Sequence, residues 1–127
     1  MIRNEVDMTR KLVVQRVEGA LTPEDLRNDA KLWSMPGLKD YATVFNLGSA
    51  DVSDVTVDSL KLYLGSFAPN TLSSVQAIVA HSDEQRQAAE TVVQLAVQAG
   101  FPAERARIFD NEEDAIDWVV ENHPHGN

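Results

Sequence analysis

Apolar residues recur along the chain with two different periods, and the alternation of those periods orders the predicted elements. Ile2, Val6 and Met8 alternate with polar neighbours, which predicts a strand over Ile2–Met8. A second strand is predicted over Leu12–Val17, rich in β-branched residues, with Thr9, Arg10 and Lys11 as the turn of a hairpin. The period then lengthens. Thr22 offers an N-cap hydroxyl, Pro23 suits the first helical position, and Glu24 and Asp25 suit the positive end of the helix dipole. Leu26, Ala30 and Trp33 fall on one face of that helix, and Ser34-Met35-Pro36-Gly37 stops it.

The rest of the chain repeats the alternation three times. Tyr41–Leu47 and Val75–His81 are nearly continuous apolar runs, as expected of strands covered on both faces. Between them lie a polar loop from Gly48 to Asp54 and a helix capped by Thr56. That helix should run to about Phe67, with Leu60, Leu64 and Phe67 inward and Ala68-Pro69-Asn70 as its stop. Ser82 caps a helix predicted to reach Ala99, with Gly100 after it and Ala88, Val92, Leu95, Ala96 and Ala99 on its apolar face. A short strand over Arg105–Phe109 follows. Asn111 caps a closing helix with Ala115, Ile116, Val119 and Val120 inward and Pro124 as its stop.

The order ββαβαβαβα predicts an α/β fold. It should be one domain over residues 1–122, with a mixed, mostly parallel five-stranded sheet, about four helices and a disordered tail at 123–127. A length of 127 residues suits a single domain.

Charge adds one feature. Residues 1–40 carry seven basic and seven acidic side chains, and residues 41–127 carry four and thirteen, so the net −9 arises after residue 40. An acidic chain is a poor match for a phosphate backbone, so no nucleic acid is expected as a partner. With no cysteine there is no disulfide or thiolate chemistry. No apolar run is long enough for a signal peptide or a stable membrane insertion, and a cytoplasmic location is expected.

Catalytic motifs are sparse. Gly48 and Gly65 stand alone, and neither makes a phosphate-binding loop. His123 and His125 flank Pro124 in the tail and suggest no metal site. His81 sits at the carboxyl end of a predicted strand, beside Ser82 and Asp83, where α/β sheets often place their chemistry. Ser82 and Asp83 are explained as helix-start residues, so His81 lacks a nucleophile and an orienting partner. No cofactor is expected, and no catalytic activity; the last-ranked alternative is a weak hydrolase or isomerase centred on His81.

Several phrases resemble the SpoIIAA-like family, relatives of the STAS domain of anti-sigma-factor antagonists. They are Val17-Glu18-Gly19-Ala20-Leu21-Thr22-Pro23-Glu24-Asp25-Leu26, Ala77-Ile78-Val79-Ala80, and Arg107 through Val119 with its Phe, acids, Ala and Trp in that order. The resemblance implies a small regulatory or protein-interaction module. Switchable STAS domains carry Asp-Ser-Ser-Gly at a helix start, where a serine is phosphorylated. Here the matching stretch is Asp58-Ser59-Leu60-Lys61, so Ser59 is the candidate phosphoacceptor and the rest of the motif is missing.

Leu62 and Tyr63 fall beside the Leu60/Leu64 stripe, and Trp118 lies at the edge of its own. With Asp58, Asp114 and Asp117 they form a candidate surface for a protein partner or a second copy of the chain. The alternative is a small apolar-ligand or lipid-binding domain, since some relatives with this topology resemble lipid-binding domains. Its pocket would be lined by Phe45, Leu64, Phe67 and Trp118, with His81 nearby, and would need a few hundred Å3.

Overall fold

The structure is a computed structural model and describes residues 1–33, 37–38, 40–65 and 75–122, Trp33 by its backbone alone. Phe67, the side chain of Trp33, the stops at 34–36 and 68–70, and the tail with both its histidines therefore lie outside the described residues.

Strands β1 (Ile2–Asp7) and β2 (Leu12–Val17) form the expected antiparallel hairpin, with Ile2 opposite Val17 and Asp7 opposite Leu12. The turn relies on side-chain chemistry rather than an Asn-Gly pair. Asp7 Oδ1 accepts from the backbone N–H groups of Thr9 and Arg10 at 3.0 Å each, and Oδ2 accepts from Arg10 Nε at 2.7 Å. The Arg10 guanidinium holds the Asp7 carboxyl below its ordinary range. Lys11 takes the left-handed backbone conformation, φ 51°, that closes the turn.

Strands β3 (Ala42–Asn46), β4 (Gln76–Val79) and β5 (Ala106–Phe109) continue the sheet in parallel, in the spatial order β1-β2-β3-β4-β5. Each parallel strand is laid beside the one before it. Crossovers of one hand running in one direction place every connecting helix on the same face. Helices α1 (Pro23–Trp33), α2 (Val57–Gly65) and α3 (Asp83–Gln98) accordingly share one face, with α2 between its neighbours. Helix α4 (Glu112–Asn122) follows the last strand and covers the other face, over β3 and β4.

Two cores result. Leu12, Val14, Val44 and Val79 pack under Ala115 and Val119 of α4. Val17, Leu47 and Ala80 pack under Leu26 and Leu60, with Phe45 and Ile78 against them.

Four local expectations need correction. Arg105 ends a single 3-10 turn over Ala103–Arg105 and does not enter β5. Val120 is exposed, so the inward stripe of α4 is Ala115, Ile116 and Val119. Ala99 is the exposed C-cap of α3, and Ala89, outside the predicted stripe, is fully buried. The loop after β3 is polar only in part, because Ala50 and Val52 are core residues. It is tied to the segment before α1 by Leu21 N–H to Asp51 O at 2.9 Å and Asp51 N–H to Gly19 O at 3.1 Å. Gly48 opens this loop at φ +57°, where an added Cβ would lie 3.2 Å from the carbonyl oxygen of Val17.

Candidate functional site

Two polar assemblies and one cavity concern function. The first assembly lies at the carboxyl ends of the parallel strands. Glu112 starts α4 because Asn111 caps it, accepting from the Asp114 N–H at 2.9 Å. Its carboxylate accepts from Arg16 Nε at Oε1 and from Arg16 Nη2 at Oε2, both at 2.9 Å, and from Asn46 Nδ2 at 3.0 Å. Arg16 also donates to Glu5 at 2.7 Å. The Arg16 hydrogen bonds hold Glu112 below the ordinary glutamate range, against partial burial, which pushes the other way.

His81 belongs to this assembly. Its Nε2 lies 2.9 Å from Asn46 Oδ1. That oxygen also accepts from the Gly48 N–H at 2.9 Å, while Asn46 Nδ2 is turned to Glu112. The amide orientation is thus set from both sides, and His81 Nε2 is the donor. The His81 N–H donates to Gln85 Oε1 at 2.7 Å, and Gln85 Nε2 donates to the Gly48 and Ala50 carbonyls at 3.1 and 3.0 Å. Ser82 Oγ caps α3 by accepting from the Gln85 N–H at 3.2 Å. The assembly staples three strand ends and two loops.

Glu112→Gln is expected to lower stability at neutral pH by about 1 kcal/mol or less, since Arg16 is partly exposed and its pairing is screened. Because the folded-state pKa of Glu112 is depressed, its contribution is present above the unfolded value. It is lost as pH falls through the folded one. The gap in melting temperature between variant and wild type should therefore close below about pH 4, which a pH series of thermal melts measures.

At the start of α2, Ser59 Oγ accepts from the Thr56 N–H at 3.0 Å and donates to the Thr56 carbonyl at 2.8 Å, while Thr56 Oγ1 accepts from the Ser59 N–H at 3.1 Å. This is a reciprocal capping box. The candidate phosphoacceptor hydroxyl is thus part of the helix start.

The second polar assembly is buried on the other side of the sheet. Gln15 of β2 and Asp29 of α1 are 1% and 4% exposed. Gln15 Nε2 donates to Asp29 Oδ1, and to Asn4 Oδ1 at 2.9 Å. The Tyr63 hydroxyl of α2 donates to Asp29 Oδ2. Burial, with the Asp29 charge beside it, pushes the Tyr63 phenol well above its ordinary range, so it stays a donor. Sequence reasoning missed this assembly, although a signal was present. Asp29 occupies the i+3 place in the Leu26/Ala30 stripe, a charge on a face otherwise reserved for the core.

Beside this assembly, between the sheet and the three-helix layer, lies an apolar cavity of about 80 Å3. Its lining includes Gln15, Phe45, Leu60, Tyr63, Leu64 and Ala89. Phe45 and Leu64 are thus where the ligand-binding reading put them. His81 and Trp118 are not. His81 is exposed at the strand ends, and Trp118 packs across the sheet, 5.6 Å from the Phe109 ring centroid. The volume is too small for a lipid.

The expected interaction surface divides. Asp58 and Leu62 are exposed on α2, while Asp114 and Asp117 are exposed on α4, across the sheet. Tyr63 and Trp118 turn inward. Among the described residues no group of three or more His, Asp or Glu is placed to hold a metal ion, and no helix is long and apolar enough to cross a membrane.

No protein-family model matches the sequence, and no curated protein does. A solved structure does match the fold: an uncharacterized protein of the DUF3478 family from Shewanella loihica PV-4, described as having a SpoIIAA-like fold. It is 20% identical over 94% of this chain and 92% of its own, with a TM-score of 0.57. The fold is SpoIIAA-like. The expected architecture, a mixed and mostly parallel five-stranded sheet with four helices, agrees with it. At this identity the likeness concerns the SpoIIAA-like fold alone.

Proposed function

We propose that this SpoIIAA-like domain is a small regulatory or protein-interaction module that acts by binding a protein partner rather than by catalysis, with the outward face of α2 as its working surface. One observation carries the reading. Leu62 is 75% exposed on a helix whose other side, with Leu60, Tyr63 and Leu64, already meets the core, and Val57, at the edge of that inner side, is still 50% exposed. That is more apolar surface than the core contact requires, on the central helix of its layer. The charged neighbours Asp58 and Lys61 give it a polar rim. The hydroxyls nearest to candidate chemistry support the noncatalytic half, since Ser82 and Ser59 both serve as helix-start hydrogen-bonding groups.

Leu62→Asp should leave the melting temperature within about 2 °C of wild type, because an exposed substitution costs within about 0.5 kcal/mol. It should abolish retention of the partner from extracts of the source cells. A control with Asp114→Asn and Asp117→Asn on α4 should retain the same partner. If Leu62→Asp retains it and the α4 variant does not, the surface has been placed on the wrong face. Retention that falls steeply with salt would also point to the acidic face of α4.

A further inference from the structure

We propose that the outer edge of β1 pairs with the same edge of a second copy of this chain, antiparallel and about a two-fold axis at Asn4, so that two five-stranded sheets join into one of ten strands. The contact lies on the sheet edge and does not depend on the outward face of α2.

The edge is open. β1 is the end strand of the sheet, and Arg3, Asn4, Glu5 and Val6 are all exposed. The direction of its backbone groups follows from its first pair. Met1 N donates to Glu18 O at 3.0 Å and Glu18 N donates to Met1 O at 2.8 Å, so Met1 exchanges both bonds with the neighbouring chain segment. In an antiparallel ladder such pairs alternate, and the register runs without a bulge from Ile2 opposite Val17 to Asp7 opposite Leu12. Arg3, Glu5 and Asp7 therefore turn their backbone groups to β2, and Ile2, Asn4 and Val6 turn theirs outward. Among the described residues nothing pairs with these outward N–H and C=O groups. The strand has no proline, lysine or bulge, the devices that commonly blunt an edge.

Charge selects the occupant and the register. The stretch Ile2-Arg3-Asn4-Glu5-Val6 reads apolar, positive, neutral, negative, apolar, so it is complementary to its own reverse. A two-fold at Asn4 sets Asn4 against Asn4, Ile2 against Val6 and Arg3 against Glu5. Every outward backbone group of the three residues then has a partner. Arg3 and Glu5 fall at the non-hydrogen-bonded positions, where facing side chains come closest. They share one face of the strand, the face on which Glu5 meets Arg16 at 2.7 Å and Arg3 meets Glu18 at 3.4 Å. Those pairs are exposed, and each charged group has capacity for a second partner. On the opposite face Ile2 and Val6, the latter 46% exposed, would cover each other. Other centres are worse. An axis at Arg3 or Glu5 sets like charges together, an axis at Val6 sets Glu5 against Asp7, and an axis at Ile2 leaves Glu5 and Val6 unpaired. Such self-complementarity is what a two-fold contact between identical chains requires. Five paired residues bury less than a standard interface of about 1,600 Å2, so the dimer should be weak.

The test is sedimentation equilibrium of the full chain from about 10 μM to about 1 mM. The expected result is a monomer–dimer equilibrium within that range. Arg3→Glu and Glu5→Lys should each weaken dimerisation about tenfold, because two symmetry-related attractions become repulsions. The first variant carries only acids at the two positions and the second only bases, so their equimolar mixture should dimerise again. Amide exchange of the wild-type chain should slow with concentration at Ile2, Asn4 and Val6, with Arg3 and Glu5 unchanged. If a variant does not fold, this alternating pattern decides alone. A chain monomeric to about 1 mM, a mixture no tighter than either variant by itself, or self-association that Leu62→Asp abolishes while the β1 amides are unaffected would overturn the proposal.

Discussion

Replacing Asp29 by alanine is expected to destabilise the domain by about 3 kcal/mol, measured by chemical denaturation at neutral pH. Asp29 is buried and accepts from both Gln15 Nε2 and the Tyr63 hydroxyl. Alanine removes the acceptor and leaves two donors without that partner, each at about 1–3 kcal/mol of uncompensated desolvation, with some relief from Asn4, which Gln15 keeps. Tyr63→Phe removes one donor and should cost about 1 kcal/mol alone. On the Asp29→Ala background it should cost markedly less, because its partner has already gone. Full additivity of the two changes would mean that Asp29 and Tyr63 are not coupled as described.

Leu60→Ala should cost about the same, about 3 kcal/mol, for a different reason. Leu60 is the fully buried side chain of α2 and already borders the cavity. Truncation removes apolar contact and enlarges a space that the surroundings leave partly open, so little relaxation is available to offset the loss. The effect should also be local. Amide exchange in α2 should accelerate more than in α3 or α4, since α2 is short and loses its central anchor. Uniform acceleration along the chain would indicate that α2 has no separate anchoring.

How much was legible in the sequence follows from the range of the interactions involved. Helix starts are read from residues three or four apart. Thr22, Ser82 and Asn111 each cap the expected helix through the expected oxygen. Gly100 follows α3 at φ +105°, as a residue after a helix end should. Sheet order is not read from the sequence, although every strand pairs with its neighbour in sequence.

What escaped involves residues far apart or patterns that run against type. Gln15 lies within a β-rich run and Asp29 within an apolar stripe. Neither looks like a partner of Tyr63 until α1, β2 and α2 are brought together. The Arg16–Glu112 pair joins residues 96 apart, across the strand ends. The expected interaction surface spans α2 and α4, although the winding that puts three crossover helices on one face leaves α4 on the other. Tyr63 and Trp118 each sit at the edge of a helical stripe. Periodicity alone does not tell whether an edge residue turns in or out.

The measurement that bears most directly on the central claim is hydrogen–deuterium exchange along the chain with and without the retained partner. Protection is expected to concentrate in α2, Val57–Gly65, with α4 and the segment around His81 unchanged on binding. Protection confined to α4 or to the His81 segment, with α2 exchanging as in the free domain, would contradict it.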